Sequence, residues 1–100
     1  MSTLHIVSSS PFQTHALQSA LKVVRKGDAI LLIENGVYAA VDGPEMAQML
    51  AGAADDLMVY ALEEDLNARA LPSVGKHVIK ASYTDFVQLV CQHNNSVSWS

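Results

Sequence analysis

Cysteine is almost absent from this chain of 100 residues, where Cys91 stands alone. That excludes an intrachain disulfide and any cysteine-built metal cluster. Basic residues are also scarce, six Lys and Arg against ten Asp and Glu, for a formal net charge of -4. They are scattered, whereas a nucleic-acid surface needs clustered cations to displace counterions, so direct nucleic-acid binding is not expected. No segment approaches the roughly 20 apolar residues of a membrane span. The amino terminus lacks the basic region, apolar core and small-residue cleavage site of a signal peptide. The expectation is a cytoplasmic protein without membrane contact. No linker, internal repeat or low-complexity tract interrupts the chain, and its length suits one core rather than two, which makes residues 1–100 a single domain.

What is present is apolar residues, half of the chain, spread along its length. In so small a domain this leaves surplus hydrophobic surface that oligomerisation would cover. The organising stretch is Gly27–Gly43, GDAILLIENGVYAAVDG. Its apolar run Ala29–Ile33 lies between a turn and the break Glu34-Asn35-Gly36 and reads as a strand buried on both faces, as in a parallel sheet covered by helices. Open α/β sheets place their sites beyond the carboxyl ends of such strands, so the Glu34 edge is the place to look for function.

In chain order, Leu4–Val7 reads as a first strand ended by Ser8-Ser9-Ser10. Ser10, Pro11 and Gln13 have the arrangement of a capping box, from which a helix is expected to run directly, with Leu17, Ala20, Leu21 and Val24 on its apolar face and Gly27 as its stop. Val37–Val41 suggests a short helical turn, and a further helix starts at Asp42-Gly43-Pro44, carries Met46, Met49 and Leu50, and ends at Gly52. Leu57–Leu62 reads as a third strand closed by Glu63-Glu64-Asp65, at the same edge as Glu34. Leu66–Leu71 is a short helical piece before Pro72, and Val78–Ala81 a fourth strand. Ser82 and Asp85 cap a last helix through about His93, with Tyr83, Phe86, Val87 and Val90 on its expected buried face. Ser96–Ser100, with Val97 and Trp99, suits a fifth strand.

The chemistry offered by these residues is thin. Ser8–Ser10 leads from a strand into a helix, as phosphate loops do, but without the glycines or lysine of such a loop it reads as ordinary capping. Glu34, Glu63, Glu64 and Asp65 could pair as carboxylates or hold a cation, yet acids at loop starts commonly cap helices, and solvated or capping roles are expected. His5, His15, His77 and His93 lack metal-ligand spacing and read as surface or strand-edge residues. Cys91, late in a helix with no helix N-terminus beside it, reads as a packing or partly exposed thiol. Trp99 either closes the core or anchors an interface.

LHIVSSSP, GDAILLIENGVYAAVDG, VYALEEDLNARAL, ASYTDFVQLV and the near-terminal Trp99, in that order across essentially the whole chain, resemble the TusB/DsrH family. The resemblance implies a DsrE/DsrF-like fold, a three-layer α/β/α domain around a mainly parallel sheet of about five strands. It also implies a small bacterial subunit that joins TusC-like and TusD-like partners in a dimer of heterotrimers. Such complexes relay persulfide sulfur from a TusA-like carrier towards a TusE-like one, and so to 2-thiolation of the tRNA wobble uridine. DsrH-like members serve a comparable complex in sulfur oxidation. The relay cysteine of TusD-type subunits falls near Leu62 in this sequence, and a first-helix cysteine of some DsrH-type members falls at Ala20.

Both positions therefore lack sulfur, and no catalytic, cofactor-binding or metal-binding residue is assigned. The expectation is a non-catalytic subunit of a TusBCD-like complex, on the tRNA-thiolation rather than the sulfur-oxidation branch. Two rivals are a chain whose Cys91 itself carries persulfide and a self-associating small-ligand module using the strand-end acids.

Overall fold

The computed structural model describes residues 2–41, 48–49, 57–71 and 73–100. Its elements are β1 (Thr3–Val7), α1 (Ala16–Val23), β2 (Ala29–Leu32), a 3-10 helix (Glu34–Ala40), β3 (Met58–Leu62), α2 (Glu63–Ala68), β4 (Val78–Ala81), α3 (Tyr83–Gln92) and β5 (Asn95–Trp99). The strands form one sheet of order β4-β3-β2-β1-β5 in which every pairing is parallel. The helix expected from Asp42 to Gly52 lies largely outside the described residues; within it, Met49 is partly buried and packs on the core.

Alternation along the strands divides the core between two faces. On one face Ile30, Leu32, Val59 and Ala61 pack with Leu17 and Ala20 of α1, Val37 of the 3-10 helix and Leu66 of α2. On the other, Leu4, Ala29, Leu31 and Ala81 pack with Leu89 of α3. β2 is buried at every position because it lies at the centre with helices on both sides. This is the expected three-layer arrangement.

The helix after β1 departs from expectation. Ser10 does not cap α1; its hydroxyl accepts from the Phe12 backbone N–H at 3.2 Å and its carbonyl from the N–H groups of Gln13 and Thr14, both at 3.1 Å. These bonds close a separate turn, and the helix begins only at Ala16, whose N–H donates to Thr14 Oγ1 at 3.3 Å. The far end also falls short of Gly27. Val24 is already extended, and Gly27, at φ +90°, serves the turn into β2 rather than the helix stop.

α3 has the expected capping box: Ser82 Oγ accepts from Asp85 N–H at 3.1 Å, and Asp85 Oδ2 accepts from Ser82 N–H at 2.9 Å. Ser82→Ala is expected to cost about 1 kcal/mol, measurable as a lower urea midpoint at unchanged slope. The buried face differs from expectation, however. Leu89 faces the sheet with Phe86 beside it, while Tyr83, Val87 and Val90 are 61%, 52% and 42% exposed. The helix is apolar around much of its circumference, so spacing alone admits two faces, and contact with Leu4, Leu31 and Ala81 selects the Leu89 side.

Candidate functional site

The carboxyl rim of the sheet brings together the acids expected there, but hydrogen bonds within the protein engage the Glu64 and Asp65 carboxylates. Glu34 follows β2 in the left-handed region at φ +50°, a strained position for a residue with a side chain. Its N–H donates to Asp65 Oδ2 at 2.7 Å, so the first turn of α2 holds the strained peptide in place. Arg69 completes the clasp, donating from Nε to Asn35 Oδ1 at 3.0 Å and from Nη1 to the Asp65 carbonyl at 3.2 Å. Glu64 turns aside, accepting from the Tyr83 backbone N–H at the start of α3 at 3.0 Å. Two of the rim carboxylates, Asp65 and Glu64, are therefore spent on separate backbone donors and do not converge. Among the described residues no group of His, Cys, Asp and Glu could hold a metal ion.

The serines after β1 are also engaged internally. Ser8 N–H donates to the Trp99 carbonyl at 3.1 Å, and Ser9 and Thr14 share a hydroxyl hydrogen bond of 2.7 Å. With Ser10 in its own turn, this segment forms no anion cradle.

Leu62 ends β3 at the same rim, immediately before α2, and is 6% exposed. Its side chain is a buried hydrocarbon. Ala20 is fully buried in the α1 face of the core. Cys91 is exposed but misplaced. α3 leaves the carboxyl rim at Ser82 and runs back to the amino edge, where Asn94 N–H meets the Ser2 carbonyl at 3.0 Å. At 1.5 Å per residue, Cys91 lies about 13 Å back along the helix from Ser82. A groove of about 280 Å³ between this helix and the β3–β4 side of the sheet is lined by Tyr60, Ile79, Asp85 and Gln88 among others.

His5 is not the surface or strand-edge residue that its sequence context suggests. It lies on β1, flanked by β2 and β5, and is 4% exposed. Its Nε2 is 3.0 Å from Asp28 Oδ2, and its Nδ1 accepts from Trp99 Nε1–H at 3.2 Å. Asp28 also accepts from Thr3 N–H at 2.9 Å and Arg25 N–H at 3.0 Å. Burial alone would push this carboxyl up; the hydrogen bonds from His5, Thr3 and Arg25 and the attraction of His5 outweigh it and hold the pKa below the ordinary carboxylate value. Trp99 thus closes the α1 face of the core, where it packs partly buried. No spacing signal marks this trio, because it joins β1, the turn before β2 and β5 through tertiary contacts. The other described histidines are peripheral: His93 bonds to the Ser2 hydroxyl at 3.0 Å and His15 to Gln18 at 2.9 Å.

A family model described as DsrH like protein matches residues 9–96. The chain belongs to the DsrH-like family. Among its curated relatives, Protein TusB of Escherichia coli O81 is 39% identical over 97 residues, 96% of this chain and 99% of the relative. Protein TusB of Shigella boydii matches with the same identity and coverage. The solved ychN protein of E. coli has a similar fold, with a TM-score of 0.75 over 98% of this chain and 99% of that one at 14% identity. Tm0979 of Thermotoga maritima aligns with a TM-score of 0.61 at 23% identity, covering 90% and 92% of the two chains. These two likenesses concern the fold. Like the sequence, the described helices of this DsrH-like chain include none long and apolar enough to cross a membrane.

Proposed function

We propose that this chain is a non-catalytic subunit of a TusBCD-like sulfurtransferase complex that relays persulfide sulfur for 2-thiolation of the tRNA wobble uridine. The observation that carries the reading is the near-full-length 39% identity to Protein TusB in a chain whose strand-end relay position is the buried Leu62. A persulfide relay needs an accessible thiolate that attacks the donor's terminal sulfur and releases it to the next thiol. The rim of this chain supplies hydrocarbon and engaged carboxylates instead. The sulfur-bearing cysteine then belongs to a TusD-like partner, with TusA-like and TusE-like carriers visiting the complex. This chain's contribution is contact area and the shaping of the partner's site.

The exposed apolar residues of α3 support a role in assembly, since side chains such as Tyr83 and Val87 gain most when a partner removes them from water. Co-expression with TusC-like and TusD-like chains, followed by size-exclusion chromatography with light scattering, is expected to give one particle holding two copies of each. Elution of this chain alone or as a homo-oligomer, while the other two travel together, contradicts the proposal.

A further inference from the structure

We infer that the hydrogen bond between His5 and Trp99 is a proton-operated latch on edge strand β5. Indole nitrogen donates and never accepts. Because Trp99 Nε1–H points at His5 Nδ1, that nitrogen carries a lone pair, and the imidazole proton resides on Nε2, facing Asp28. The closed latch therefore requires neutral His5 in one tautomer. A proton taken from water by Nδ1 would set two N–H groups against each other. Nε2–H stays on Asp28, whose carboxylate remains ionised through mild acidity, and the indole N–H turns to water.

The position of Trp99 makes this local event matter. Among the described residues β5 pairs with β1 alone, and its residues Asn95–Ser98 are exposed; Trp99 is its half-buried side-chain anchor. Its carbonyl also receives the Ser8 N–H, so displacing Trp99 loosens the same end of the β1–β5 ladder. No second ionisable group competes for the proton among the described residues in contact with His5. Asp28 comes from the turn before β2, and the Arg25 and Lys26 side chains on that turn are exposed. β2 places Ile30 opposite His5, β5 places Val97 opposite it, and α1 packs Ala16, Leu17 and Ala20 on this face while its Lys22 is exposed. The switch is independent of the sulfur-relay reading.

Nitrogen-15 NMR of the full chain between pH 8 and pH 5, the range in which imidazoles titrate, tests the latch. At the upper end, His5 should show unprotonated Nδ1 and protonated Nε2. As Nδ1 gains its proton, the Trp99 indole resonance should move with the same midpoint. Protection factors of the Ser8 amide and the β5 amides, corrected for intrinsic exchange, should fall at least ten-fold. His5→Gln, whose amide can accept from Trp99 and donate to Asp28 at every pH, should remain protected across the range. Unchanged indole resonance or β5 protection through the His5 titration overturns the latch, as does an equal acid-induced loss in His5→Gln.

Discussion

Gly36→Ala is expected to destabilise the chain by about 3 kcal/mol or more, a fall of roughly 12–24 °C in Tm for a domain of this size. The cause is space rather than conformation. The 3-10 helix folds directly onto the end of β1, where Ile33 N–H donates to the Val7 carbonyl at 3.0 Å. A methyl group at Gly36 would overlap that same carbonyl oxygen and press on its carbon. Both are backbone atoms at the end of β1, where Val7 is paired with Leu32 on one side and Trp99 on the other, so no side chain can swing away. Gly27 provides the internal contrast. A Cβ there meets nothing nearer than Ser2 Cβ at 3.9 Å, but φ is +90°, and Gly27→Ala should cost only the backbone strain, about 1 kcal/mol. Urea unfolding of both variants checks the order; equal losses would mean that the Gly36 approach is not tight.

Asp28→Asn is expected to cost about 2–3 kcal/mol despite its nearly identical shape. Asp28 Oδ2 receives both the His5 ring nitrogen and the Arg25 N–H, while Oδ1 receives Thr3 N–H. An amide supplies one acceptor oxygen and turns two donors toward the rest. His5 cannot adapt by changing tautomer while Trp99 donates to its other nitrogen. The pH dependence follows from the direction of the Asp28 shift. Its folded pKa is depressed, so the unfolded chain binds more protons in mild acid. The stabilisation is fully present above the unfolded carboxylate value of about 4 and is lost as pH falls through the folded value. The stability gap between wild type and Asp28→Asn should therefore narrow below about pH 4. A gap that stays constant down to pH 2 would show that the carboxylate is not held low by these bonds.

Much of this architecture is legible in the residues. The unbroken apolar run of β2 announced a strand with helices on both faces, and β3, β4 and β5 begin and end within a residue or so of where patterning places them. The Ser82 capping box is local chemistry and reads correctly. The Ser10 box has the same letters and fails, because its carbonyl and hydroxyl close a tight turn before the helix can start. The α3 face is only partly legible for a different reason: Phe86 packs on the sheet as expected, but Tyr83, Val87 and Val90 continue an equally regular stripe, and only contact with the sheet selects Leu89 in their place. At the rim, sequence proximity correctly suggested acids with capping roles, whereas the His5–Asp28–Trp99 connection could not be read from spacing. Its members are separated by 23 and 94 residues and meet only when β1 takes its place between β2 and β5.

The proposed role places sulfur chemistry on a partner and leaves Cys91 an exposed bystander in the last turn of α3. The most direct test is the 2-thiouridine content of tRNA, measured by mass spectrometry of nucleosides, in cells whose only copy of this chain carries Cys91→Ser. The account predicts wild-type thiolation from an assembled complex. Loss of thiolation with the complex intact would contradict it and give Cys91 a place in the relay.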